Sequence, residues 1–108
     1  MAYDEGLAQL FREELGDLPI SEKKMFGGLA FMLYGNMVCG IYQSQPMFRI
    51  GRDNTASALA LAGVSQMQMK GKPMVGYVDC SDECFADDAR RATLLAMALA
   101  FVKSMPPK

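Results

Sequence analysis

The chain has 108 residues, eleven basic and twelve acidic side chains, no histidine and no tryptophan, and 51% of it is apolar. That length suits one domain around one core, and the composition is far from that of a disordered chain. A net charge of -1 supplies no overall positive field, and the longest apolar run, Leu94 to Val102, is too short to cross a bilayer, so neither direct nucleic-acid binding nor a membrane partner is expected.

The first residues, Met1-Ala2-Tyr3-Asp4-Glu5, lack the basic and apolar regions of a secretion signal, and three cysteines do not make a disulfide framework. A cytoplasmic protein with reduced thiols is expected. Asp4 to Leu15 reads as an amphipathic helix, because Leu7, Leu10, Phe11 and Leu15 share one face; Asp4 is placed to cap it, Gly16 to end it and Pro19 to keep it ended. A short strand over Ile20 to Phe26 leads into Gly27-Gly28. The run Leu29 to Tyr34 and the run Met37 to Tyr42 then flank Gly35-Asn36, a dipeptide that predicts a tight hairpin because both residues tolerate positive φ. Gln43-Ser44-Gln45-Pro46 makes the next turn and Met47 to Ile50 the next strand.

Gly51 ends that strand, and Asp53, Asn54 or Thr55 can cap a helix through Ala56 to Ala62, closed by Gly63. Gln66 to Lys70 and Met74 to Val78 read as two more strands joined by a turn at Lys70-Gly71-Lys72-Pro73. A final helix runs from Asp87 or Asp88 to about Ser104, before Pro106-Pro107. Its segment from Ala92 to Val102 is apolar nearly all round, which predicts burial on more than one side, either under the sheet or in a homodimer interface built on Leu94, Leu95, Leu99, Phe101 and Val102. The whole is one α+β domain over residues 1–108: two layers, an antiparallel sheet with helices packed on it, in the order helix, three or four strands, helix, two strands, helix.

The absence of histidine removes the usual neutral-pH general base, the Ser-His and Cys-His nucleophile pairs and the commonest metal ligand. Cys80 and Cys84 are spaced for neither a structural zinc site nor a Cys-x-x-Cys redox pair, and Asp82 and Glu83 oppose thiolate formation; ordinary thiols are expected, with Cys39 in the core. Glu13-Glu14 and Asp87-Asp88 are adjacent on helices and point apart, so they read as surface and cap residues. No cofactor or metal is expected. Gly27-Gly28 could form a concavity for an anion with Lys23, Lys24, Arg49 and Lys72 nearby, but it precedes a strand where phosphate loops precede a helix. Ten methionines are many for this length, and Met25, Met32, Met37, Met47, Met67, Met69, Met74 and Met97 either fill irregular core gaps or form an adaptable apolar binding surface.

Taken together, Met25-Phe26-Gly27-Gly28-Leu29-Ala30-Phe31, Gly35-Asn36-Met37, Gly71-Lys72-Pro73-Met74 with Gly76-Tyr77-Val78, and the close Ala100-Phe101-Val102-Lys103-Ser104 with Pro106-Pro107-Lys108 resemble the TfoX N-terminal domain family. The resemblance implies a two-layer fold grouped with secretion-chaperone-like domains. It implies relatedness to regulators of natural competence, which act with a catabolite-responsive transcription activator and carry a second, C-terminal domain of helical hairpins. The chain stops at Lys108 and is read as a stand-alone member. The family supplies no catalytic residues, so the expected role is a non-enzymatic regulatory module that binds another protein, possible homodimerisation included; the alternative is a small-molecule or anion-binding domain, conceivably an enzyme, with its cleft near Gly27-Gly28.

Overall fold

A computed structural model describes residues 5–25 and 27–107. The elements follow in the order α1 (Glu5–Leu15), β1 (Ile20–Met25), β2 (Gly28–Leu33), β3 (Asn36–Tyr42), β4 (Gln45–Arg49), a 3-10 turn (Arg52–Asn54), α2 (Thr55–Leu59), β5 (Val64–Met69), β6 (Lys72–Cys80), α3 (Asp82–Ala86) and α4 (Asp88–Lys103). The six strands form one antiparallel sheet in the spatial order β1-β2-β3-β4-β6-β5. The architecture is the α+β sheet with helices that the periodicity predicts; Asp4 and Phe26, invoked above as a cap and a motif residue, lie outside the described residues.

Three of the hairpin connections have the same backbone. Tyr34 and Gly35 (φ 53 and 83), Gln43 and Ser44 (φ 51 and 64) and Lys70 and Gly71 (φ 54 and 78) pair two positive-φ residues, as in turns whose twist matches that of the flanking strands. The first hairpin therefore turns one residue earlier than Gly35-Asn36. Asn36 already belongs to β3, opposite Leu33, and is almost inaccessible, with its Nδ2 donating to the Pro106 carbonyl at 3.0 Å. Pro46 and Pro73, expected in turns, lie within strands opposite Ile41 and Gln68.

All the helices sit on one face. The buried side chains of α1 (Ala8, Phe11, Leu15), α2 (Ala58), α3 (Cys84, Phe85) and α4 (Leu94, Leu95, Ala98, Val102) join a single cluster with Leu29, Phe31, Leu33, Val38, Cys39, Ile41, Phe48, Ile50, Val78 and Cys80. At its centre Phe11 stacks obliquely on Phe31, Phe48 and Phe85, with ring centroids 5.2, 5.6 and 4.7 Å away. Arg91 closes the rim of this layer: it donates to Glu14 Oε1 at 2.9 Å, Asp88 Oδ1 at 2.7 Å and the Phe85 carbonyl at 2.7 Å, which ties α1, α3 and α4 together. Arg12 does the same between α1 and β1 with a two-pronged bond to Glu22 at 2.8 and 2.9 Å, which holds the Glu22 carboxyl below its ordinary value.

Three further departures from expectation have local causes. The second helix starts as expected but is only Thr55–Leu59: beyond it the chain tightens, with the Leu61 N–H donating to the Ala58 carbonyl at 3.0 Å and the Val64 N–H to the Leu61 carbonyl at 3.3 Å, and a 3-10 turn precedes it, where the Asn54 side chain bonds back to the Ile50 carbonyl. An unexpected short helix, Asp82–Ala86, forms because the Ser81 hydroxyl accepts from the Cys84 N–H as an N-cap, and Asp87 then caps α4 through the Arg90 N–H. Finally, α4 is buried along one stripe. Its outward side carries Ala89, Ala92, Thr93, Ala96 and Ala100, apolar by composition but small enough to leave in water.

Two glycines matter for the sheet. A Cβ on Gly28 would lie 2.0 Å from the Ile41 carbonyl oxygen, and one on Gly40 would lie 2.3 Å from that of Leu29, so β2 and β3 can approach this closely only with glycine at both places. Gly28→Ala is expected to cost about 3 kcal/mol or more by forcing backbone apart, whereas Gly71→Ala, with open space around it and only its positive φ to oppose, should cost about 1 kcal/mol. Urea midpoints of the two variants read the difference; equal losses would mean that the close approach carries no energetic weight.

Candidate functional site

The face without helices is not simply wet. Reading across the sheet, Ala30, Gly40, Met47, Asp79 and Ser65 form one transverse row of paired residues on that side. Ala30 and Met47, with Met67, are nearly inaccessible although no helix covers them, and none belongs to the helix-side core. The sheet therefore folds over its own open face, helped by the missing side chain at Gly40.

In that concavity lies an apolar groove of about 250 Å³. Met25 from β1, Met37 from β3, Met47 from β4, Met67 and Met69 from β5 and Met74 from β6 all line it. Most of the methionines singled out in the sequence thus share one surface; Met97 instead packs against the core from α4. Thioethers suit such a place because an unbranched chain with three rotors adapts to irregular contours.

The groove is shaped by a wide bulge. Gln66 pairs with Val78 and Gln68 with Pro73, so Met67 alone faces the four residues 74–77 of β6. The Gln66 amide fills the gap, donating to the carbonyls of Met67, Met74 and Tyr77 at 3.1, 2.8 and 3.1 Å. Gly76, with φ 84, turns its carbonyl to the N–H groups of Ile50 and Gly51 at 2.9 and 3.1 Å. Beyond the bulge, Arg49, Gly51, Arg52, Val75, Tyr77 and Phe101 are among the residues lining a second cavity of about 400 Å³, and Tyr77 borders both.

The motif residues are distributed as structural punctuation. Gly27 lies between paired Met25 and Gly28 at the β1–β2 connection, Gly35 and Gly71 in two further turns, Lys72 and Pro73 at the start of β6, and Gly76 in the bulge. The cations once grouped around Gly27-Gly28 do not converge there. Lys23 stands opposite Ala30 on the open face and Lys24 opposite Leu29 on the helix side, Lys72 is opposite Met69, and Arg49 lies in the larger cavity. The cavity that does adjoin this corner, reached by Met25 and Leu29, is the apolar one. Of the helix residues, Leu94, Leu95 and Val102 are buried in the chain's own core, while Leu99 and Phe101 are partly buried against it.

All three cysteines are free and buried, and burial holds the Cys39 thiol well above its ordinary value and raises Cys80 likewise, with Cys84 and the carboxylates of Asp79 and Asp82 adding to the effect. Among the described residues no group of three or more acidic or cysteine side chains is arranged to hold a metal ion, and no helix is long and apolar enough to cross a membrane.

Asp79 is the exception on the open face. Burial raises its carboxyl above the usual range, with only partial relief from its own backbone N–H, and among the described residues it makes no ion pair. Because the folded value exceeds the unfolded one, the ionised carboxylate opposes folding at neutral pH, and that penalty fades as pH falls through the folded value towards the unfolded one. Asp79→Asn is accordingly expected to raise the urea midpoint near pH 7, with the advantage shrinking to nothing near pH 3, where the wild-type acid is protonated in both states. A difference that does not change with pH would show that desolvation of the charge is not the cause.

No curated protein matches the chain. The family model of the TfoX N-terminal domain matches residues 10–102, from the middle of α1 to the last buried residue of α4, and so takes in all six strands, both cavities and every described motif glycine. The chain belongs to the TfoX N-terminal domain family.

Proposed function

We propose that the chain is a non-enzymatic regulatory module that receives an acidic, amphipathic segment of another protein in the methionine-lined groove. The observation that carries this reading is the convergence of six methionines from five strands on one helix-free face. Flexible thioethers make a surface that remoulds around a peptide's apolar side chains, and an apolar trough of about 250 Å³ has room for a few such side chains from one face of a helix or an extended segment. Charge selects the partner's polar side. Lys23 and Lys72 stand on the groove's own face by register, opposite Ala30 and Met69, while Asp79 is the opposing carboxylate of the central row. Two ammonium groups beside an apolar trough favour an acidic flank and disfavour a basic one.

The regulatory part of the reading rests on the family, whose named members are competence regulators. The non-enzymatic part rests on the lack of histidine and on burial, which opposes ionisation of the Cys39 and Cys80 thiols. Self-association through α4 would have to use its alanine-rich side and the accessible parts of Leu99 and Phe101, since Leu94, Leu95 and Val102 are buried in the core. This reading therefore puts the partner contact on the methionine-lined groove instead.

The test uses protein labelled at the methionine methyl groups and two synthetic helical peptides with the same apolar pattern, one with glutamates and one with lysines on its polar side. The acidic peptide is expected to shift the methyls of Met37, Met69 and Met74 saturably, and Met69→Glu to weaken it about tenfold, the equivalent of about 1.4 kcal/mol. No methyl response, or an equal response to both peptides, would sink the proposal.

A further inference from the structure

Five arginines occur in the chain, and three of them are tied to carboxylates: Arg12 to Glu5 and Glu22, Arg90 to Asp87, and Arg91 to Glu14 and Asp88. The other two, Arg49 and Arg52, make no ion pair and no side-chain hydrogen bond among the described residues, and both line the cavity of about 400 Å³. This pairing of free guanidinium groups with a cavity is independent of the methionine groove.

The cavity is built, not incidental. The Arg49 guanidinium carbon lies 5.8 Å from the centroid of the Tyr77 ring and 5.6 Å from that of Phe101, so two aromatic rings hold the cation in place without using its N–H donors. The floor is fixed by backbone: Ile50 and Gly51 donate to the Gly76 carbonyl, Asn54 Nδ2 donates to the Ile50 carbonyl at 3.0 Å, and Thr55 Oγ1 donates to the Gly51 carbonyl at 3.2 Å. Gly51 has φ 86, and a Cβ there would lie 2.5 Å from the Phe101 ring, so the glycine is what lets α4 present that ring to the cavity. Asp53 also lines the space, which leaves the three charged side chains one positive charge in excess.

We propose that this cavity binds the oxyanion of a small metabolite, a phosphate or carboxylate group carried on an apolar or planar body. A guanidinium fork matches the geometry of either oxyanion, and Arg52 supplies a second positive charge beside it. The body lies against Tyr77, Phe101 and the exposed side chain of Val75. The volume falls within the range of small-molecule sites, roughly 300–1,000 Å³.

Phenyl phosphate and phenylacetate are titrated separately into isotopically labelled protein at constant ionic strength, with chloride as the control anion. Backbone amide and arginine Nε–H signals are followed. Saturable shifts at Arg49, Gly51, Arg52 and Tyr77 are expected with at least one probe, and which probe acts tells a phosphoryl from a carboxyl ligand. Arg49→Gln should weaken binding about tenfold or more, and Lys24→Gln, exposed on β1 and outside both cavities, should leave it unchanged. Should loss of the ring contacts unfold Arg49→Gln, the exposed Arg52→Gln carries the same expectation of weaker binding. Absence of saturation with both probes, or shifts that persist undiminished in Arg52→Gln, overturns the site. The methionine methyls report the peptide groove separately, so either reading can fail alone.

Discussion

Six antiparallel strands lie under a single layer of helices, and the other side of the sheet has to be kept from water by the sheet itself. The helix side is conventional: phenylalanines, leucines and valines interdigitate around Phe11, and Arg12 and Arg91 seal the edges with charged hydrogen bonds. On the far side the solution is curvature. Glycine at positions 28 and 40 permits a close β2–β3 approach, the bulge at 74–77 interrupts the β5–β6 ladder, and methionines line the groove on that face. Both cavities are products of that arrangement.

The features that make the sheet curl are also those that expose chemistry. In a regular ladder, residues 74–77 would each face a partner on β5; here Val75 is pushed to 61% exposure and Gly76 turns its carbonyl to the end of β4. Tyr77 consequently stands between the two cavities, one wall for the methionine groove and one ring for Arg49. A polar side chain, Gln66, substitutes for the missing ladder bonds. Three carbonyls around the bulge thereby gain a donor that the broken ladder does not supply.

Much of the fold was legible because local signals agreed with it. Gly16 and Pro19 ended the first helix where expected, glycine marked the β2–β3 and β5–β6 hairpins, and Asp87 marked the start of α4. The errors came from residues with two possible uses. Asn36 is a good turn residue, yet its amide anchors the Pro106 carbonyl, and Tyr34 takes the positive φ in its place. The alanines of α4 count as apolar, but they are too small to demand burial, so within the chain a helix that read as two-sided is covered along one side. The sites were far less legible. Methionine abundance was visible, but its gathering on one face depends on a register shift between Gln66 and Gln68, and only the isolated Gly76 hinted at a bulge there. Nothing in the local sequence around Arg49 could have named Phe101 as its neighbour.

The order of the strands divides the sheet into two chain-local pieces, a four-strand meander from β1 to β4 and the β5–β6 hairpin, joined only along β4 and β6. That seam consists of the pairs Met47 with Asp79, Phe48 with Val78 and Arg49 with Tyr77, fewer than join any other neighbours in the sheet. Local opening starts where cooperative units meet, and this is the thinnest such junction in the molecule. Met47 and Tyr77 in one cavity, and Arg49 and Tyr77 in the other, stand on opposite banks of it. A ligand seated in either cavity would touch both halves of the protein, and by mass action it would shift the equilibrium further against their parting as its concentration rises above its Kd.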